Sequence, residues 1–249
     1  MKLQWILLLA TLNLNQSIAQ SIINTSSISH DLDSTISIVI DAGGDFSRGN
    51  ADIDNITLNS GIGKSLGRDA SLWLLGGYNE LRGNGSLIQR ASFTHLRLNY
   101  EVKDNVTLSA FTQAQTNSVL DLGSRFLLGS NVSFDLNREK NTTVMIGLFQ
   151  EVENYSLGES KSLLRMNIVG FTEYKINDLE LVGFVYYQPS IKDFKDSRYI
   201  GEVSLRFPLI TGVQVGINGV GRYDSQPHSS LGKWDFGIKT SLRYEFHKN

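Results

Sequence analysis

The chain has 249 residues, with 23 Lys+Arg against 25 Asp+Glu, 23 glycines, 3 prolines and no cysteine. The lack of cysteine excludes a disulfide framework, a Cys-ligated zinc site and a lipid-anchoring cysteine. A net charge of −2 argues against a nucleic-acid partner, and no run approaches the ~18 consecutive apolar residues of a membrane helix.

Met1-Lys2 gives a positive start, Trp5–Leu12 a short apolar stretch, and Ser17-Ile18-Ala19 small residues at −3 and −1. Residues 1–19 therefore read as a secretory signal peptide cut after Ala19. Export without any cysteine points to a bacterial envelope rather than a disulfide-rich secretory setting. Residues 20–33 are polar and read as a periplasmic N-terminal leader. From Ser34 to the end of the chain one pattern dominates: apolar and polar residues alternate with a period of two, the mark of β-strands.

Twelve such segments follow in order: 34–46, 52–64, 70–80, 88–101, 105–116, 119–136, 142–154, 163–176, 179–188, 197–207, 213–223 and 232–246. The last is the clearest. Trp234, Phe236, Ile238, Thr240, Leu242, Tyr244 and Phe246 share one face; Lys233, Asp235, Gly237, Lys239, Ser241, Arg243 and Glu245 share the other. In 120–136, Leu120, Leu122, Phe126, Leu128, Val132, Phe134 and Leu136 oppose Asp121, Gly123, Arg125, Gly129, Asn131, Ser133 and Asp135. A helix would scatter both sets around its circumference. The ninth segment alternates poorly, so its faces stay undefined. The expected fold is all-β: a single up-and-down antiparallel barrel over residues 34–249.

The connections after even-numbered segments are short and turn-like: Gly67-Arg68-Asp69, Lys103-Asp104-Asn105, Asn137–Asn141, Asn177-Asp178 and Pro208–Gly212. Most connections after odd-numbered segments read as longer and more polar: Arg82–Ser86, Tyr155–Lys161, Pro189–Asp196 and Asp224–Leu231. Short turns at one rim and longer loops at the other is how outer-membrane barrels are built. Aromatic residues sort the same way on the apolar face. Tyr100, Phe134, Tyr174, Phe207, Tyr244 and Phe246 lie at short-turn ends; Phe46, Tyr78 and Tyr223 lie at long-loop ends. Two such rings match the interface girdles of a transmembrane barrel. A soluble barrel with an apolar interior is the alternative. The girdles, the mid-strand charges on the polar face and the even strand count favour the membrane.

Several stretches resemble a bacterial salt-induced outer-membrane protein family of unknown function. They are Ser47-Arg48-Gly49-Asn50-Ala51-Asp52, the Arg90–Asp135 run with Tyr100-Glu101 and Leu120–Gly129, and Gly221-Arg222-Tyr223-Asp224-Ser225-Gln226-Pro227 with Leu242–Phe246. The similarity covers most of residues 34–246 and is weakest over 150–198. It implies an outer-membrane barrel inserted by the cell's barrel-insertion machinery, with membrane lipid as its surroundings. It carries over no catalytic set, and the stress role comes from the family's name alone.

The polar face places Asp41, Asp45, His95, Arg97, Glu101, Asp121, Arg125, Asp135, Glu151, Glu153, Arg165, Glu173, Arg198, Glu202, Arg206, Arg222, Asp235, Lys239, Arg243 and Glu245 toward the lumen. They are the lining of a polar channel, or ion pairs filling a closed interior. Twelve strands fall between the filled eight-stranded barrel and the open porin, so both readings stand. His95 reads as a lumen hydrogen-bonding group, since no partner is spaced with it. The Asp224–Ser229 loop holds the residue types of a hydrolase triad, yet the same composition suits a turn. Asp52 and Asp54 with Asn50 and Asn55 lack the full calcium-loop pattern. Gly61-Ile62-Gly63 and Gly83-Asn84-Gly85 open no helix and are not phosphate loops. Nothing in the sequence points to a cofactor or a metal.

Overall fold

The computed structural model describes residues 35–49, 52–137, 141–228 and 232–248, so the signal-peptide and leader readings of residues 1–33 lie outside the described residues. Twelve strands run in chain order: β1 (Ile36–Ser47), β2 (Ile53–Ser65), β3 (Ala70–Gly83), β4 (Ser86–Lys103), β5 (Val106–Asn117), β6 (Leu122–Asn137), β7 (Thr142–Tyr155), β8 (Ser160–Ile176), β9 (Leu179–Pro189), β10 (Ser197–Ile210), β11 (Val213–Asp224) and β12 (Trp234–Lys248). Each pairs antiparallel with its sequence neighbours. β1 closes on β12, from Ile36 opposite Lys248 to Ala42 opposite Leu242. The result is a closed barrel with no free edge among these strands, as lipid would demand, since unpaired backbone groups find no water there.

The apolar face of the alternation is the outer one. Leu58, Leu74, Leu96, Leu128, Ile146, Val203, Ile217 and Ile238 are all exposed around the wall. That orientation is the reverse of a soluble barrel, which turns its apolar face inward. All nine expected girdle residues face outward. At the long-loop rim aromatic rings also stack across four neighbouring strands. Ring centroids lie 4.7 Å apart for Tyr187–Tyr199, 5.9 Å for Tyr199–Tyr223 and 4.6 Å for Tyr223–Trp234.

Three expectations need correction. Leu120 and Leu122 are buried, not on the outer wall. The ladder slips between Leu122 and Ser124 against β7, and between Gln115 and Asn117 against β5; a one-residue slip turns the side chains preceding it to the other face. The same irregularity removes Asp121 from the lumen wall. It sits exposed in the turn before β6 with φ +52°, a left-handed conformation that Asp tolerates better than most residues. Finally, Arg82–Ser86 is not a long loop: β3 and β4 continue to a two-residue turn at Asn84-Gly85, both with positive φ, the geometry that matches strand twist. The long-loop rim owes its name mainly to the connections between β9 and β10 and between β11 and β12.

Candidate functional site: a divided lumen

One half of the interior is filled. A period of two sets Glu151 and Glu153 side by side on the inner face of β7. Arg125 stands opposite Glu153 on β6 and donates its Nε to Glu153 at 2.7 Å, with a further contact to Glu151 at 3.1 Å. Arg165 of β8 donates to Glu151 at 2.8 Å and to Asp196 at 2.8 Å. Arg198 of β10 reaches across to Glu151 at 2.6 Å and Glu153 at 3.0 Å, and holds Asp224 at 2.9 Å. Lys161 meets Asp196 at 3.0 Å, and Tyr155 donates its hydroxyl to Glu153 at 2.8 Å. Three arginines and a lysine thus face four carboxylates, with the guanidinium forks each serving two or more oxygens. Such charge-assisted bonds offset the cost of burying ions.

Asp196 closes the 190–196 loop onto this network. Burial pushes its carboxyl up, but the hydrogen bonds from Lys161 and Arg165 outweigh that and hold it below the usual carboxylate range.

Further along the same wall lies an apolar cluster of Met145, Val169, Phe171, Val182, Phe184, Tyr186 and Ile200, with Phe171 and Phe184 rings 4.7 Å apart. This accounts for the poor alternation of β9. Its inner face carries Val182, Phe184 and Tyr186 while its outer face carries Leu181 and Val185, so both faces are apolar. A second cluster joins Phe111, Leu127 and Phe149. His95 stacks on Phe111 at 5.4 Å and its Nδ1 bonds the Gln113 side-chain oxygen at 2.9 Å.

The other half is open. A cavity of about 150 Å³ lies along the inner faces of β1–β4 and β10–β12. Its charged lining is Asp41, Asp45, Glu202, Arg206, Arg222, Lys239 and Arg243. Its neutral lining includes Asn55, Thr57, Asn59, Asn79, Ser204, Asn218 and Ser241. Asn79 donates to Thr57 at 2.8 Å and to Asn55 at 3.1 Å, tying that wall together. Arg206 is paired with Glu180 at 2.8 Å and Arg243 with Glu245.

Near the long-loop rim, the residues after β11 lie against the end of β7. The His228 ring stacks on Tyr155 with centroids 3.7 Å apart and planes 14° from parallel, and its Nδ1 is 3.6 Å from Glu159. A smaller pocket beneath is lined by Arg125, Arg198, Arg222, Asp224 and Asp235 among others.

A family model described as "Protein of unknown function, DUF481" matches residues 40–246. The chain belongs to that family. Comparison with curated proteins gives no match. Among solved structures, the translocator domain of autotransporter NalP from Neisseria meningitidis is similar at TM-score 0.53 and 12% identity, covering 89% of this chain and 91% of that one. The NanC porin follows at TM-score 0.47 and 12% identity, covering 86% and 99%. A KdgM porin in complex with disordered oligogalacturonate has TM-score 0.48 and 8% identity, covering 85% and 99%. At these identities the likeness concerns the fold, that of outer-membrane β-barrels.

The sequence-derived lumen set of this DUF481 barrel separates accordingly. Arg125, Glu151, Glu153, Arg165, Arg198 and His95 belong to the filled half; Asp41, Asp45, Glu202, Arg206, Arg222, Lys239 and Arg243 line the open one. Asp235 lines the rim pocket. Arg97 is on the inner face of β4, half-buried. Toward the short-turn rim, Asp135 accepts from Thr143 at 2.8 Å and Glu173 meets Lys175 at 3.4 Å. Glu101 is exposed at that rim. The neutral lining carries no charge to mark it in the sequence, and only strand parity places it inward. Among the described residues no group of three His, Asp or Glu is gathered for a metal; Asp54 pairs with Arg48 at 2.5 Å instead.

Proposed function

We propose that this chain resides in a bacterial outer membrane and forms a narrow passive pathway for ions and small polar solutes through the open half of its lumen. The observation that carries this reading is the polar cavity of about 150 Å³ along the inner faces of β1–β4 and β10–β12. Export through a cleaved signal peptide and assembly by the barrel-insertion machinery belong to the same proposal, supported by the N-terminal sequence pattern and the exposed apolar wall. Carboxylates and cations both line the cavity, so the pathway has weak selectivity between anions and cations. The reading gives the barrel no catalytic role: His95 is held by Gln113 and stacked on Phe111.

A closed, purely structural barrel is the second reading, favoured by the Arg125–Glu153–Arg198 network. Single-channel recording of refolded protein separates the two. Small, weakly selective current steps support the pathway; silence under voltage from folded barrels supports the closed interior. A part in salt or osmotic adaptation rests on the family resemblance. It predicts slower growth of a deletion strain in high salt, restored by the intact gene, and equal growth of both strains sinks it.

A further inference from the structure

The two halves of the lumen treat their charges differently. In the filled half each arginine named above contacts at least two carboxylates directly. In the open half, the side chains of Arg222 and Lys239 make no hydrogen bond or ion pair within 4 Å among the described residues, and the Arg222 Nε is buried without a hydrogen-bond partner. Asp41 likewise lacks such a partner there, and Asp45 accepts only a long bond of 3.4 Å from Asn55. These four side chains line one cavity. Lys239 lies within electrostatic reach of Arg222, Asp45, Glu202 and Asp41, and Arg222 within reach of Glu202 and Asp235. Strand β12 lies between β1 and β11: Asp41 of β1 stands opposite Arg243, which is within its electrostatic reach, and Lys239 stands opposite Asn218 of β11.

We propose that this cavity binds a small zwitterionic solute, its anionic group held by Arg222 and Lys239 and its cationic group by Asp41 and Asp45. A solute bearing only one charge is attracted to one pair and repelled by the other. A neutral solute gains neither. A molecule with both charges meets three groups whose side chains have no direct partner among the described residues and a fourth, Asp45, with one long bond, and leaves the cavity's net charge unchanged. Asn55, Thr57, Asn59 and Asn79 supply neutral donors and acceptors beside them. A cavity of about 150 Å³ accommodates a molecule of roughly benzene size, which fits short amino acids and not oligomers. The proposal deepens the pathway reading but asks only that solute reach the cavity, so binding and conduction are measured separately.

The test uses four probes of one skeleton: β-alanine with both charges, propionate, propylammonium and neutral propionamide. Binding to the refolded full chain in detergent, at low ionic strength, is followed by saturation-transfer NMR. β-Alanine binds, and the other three bind at least about tenfold more weakly, as expected when one or both charge-assisted contacts are missing. The pairs Arg222→Gln/Lys239→Gln and Asp41→Asn/Asp45→Asn each abolish that preference while heat-modifiable gel migration is retained. Equal binding of propionamide or of either singly charged probe overturns the proposal, as does wild-type preference in both double variants. Should a variant fail to fold, the four-probe comparison on the wild type still decides. Binding without any conductance sinks the pathway reading and leaves this one standing; conductance without preference for β-alanine does the reverse.

Discussion

Glu151 and Arg165 meet at 2.8 Å inside the barrel, with at most 2% of either side chain exposed. They come from the adjacent strands β7 and β8, and Arg198 joins them from β10 across the interior. This pair marks the centre of the filled half. Removing one partner strands the other charge in a dry environment, a loss of about 3–5 kcal/mol. Arg165→Met or Glu151→Leu is expected to lower the temperature at which the folded, fast-migrating gel form is lost. A double variant Arg165→Met/Glu151→Leu, in which neither charge remains, should lose less than the sum of the two. Strict additivity would mean that the pair does not act as a unit.

Asp196 ties the 190–196 loop to Lys161 and Arg165. Its folded-state carboxyl is held below the ordinary value of 3.8. The stabilisation is therefore fully present above that value and disappears as the pH falls through the lowered one. Protease sensitivity of this loop should rise only under acid conditions in the wild type. In Asp196→Asn it should already be raised at neutral pH and change little with acid. A loop equally protected in both at neutral pH would remove Asp196 from the account.

His228 rests on Tyr155 across the rim. A stacked aromatic pair contributes about 0.5–1.5 kcal/mol beyond its buried area. His228→Ala is expected to loosen the chain following β11 and to increase cleavage near residues 225–228 about two- to tenfold, in line with that energy. Unchanged cleavage would mean that other contacts hold the segment.

Gly63 stands beside an indole. A Cβ there would meet the Trp73 ring at 2.6 Å, and Trp73 is fully buried with Val39 and Leu75. Gly63→Ala should cost about 1–3 kcal/mol through overpacking, read in thermal or urea unfolding. Recovery in Gly63→Ala/Trp73→Phe would confirm the ring as the cause, and a neutral single variant would contradict it.

The wall of this barrel was legible in the sequence because a period of two, one apolar face and rim aromatics are local signals. β12, from Trp234 to Lys248, shows all three. The interior was less legible for specific reasons. Val182, Phe184 and Tyr186 give β9 an apolar inner face, so alternation carries no information there. The slip around Gly123 moves Leu122 inward, and a bulge has no sequence mark beyond its glycine. The Arg198–Glu153 contact joins residues 45 positions apart; it depends on closure and register, which no single strand displays.

The lumen is filled on one side and open on the other. The chain has no native cysteine, so single cysteines report accessibility directly. Asn59→Cys and Ser241→Cys sit in the open half; Val169→Cys and Phe184→Cys sit in the filled half. With a small charged thiol reagent added to folded barrels in lipid, labelling at 59 and 241 with none at 169 and 184 is the predicted result. Comparable labelling at all four positions, or none at 59 and 241, would contradict the divided lumen.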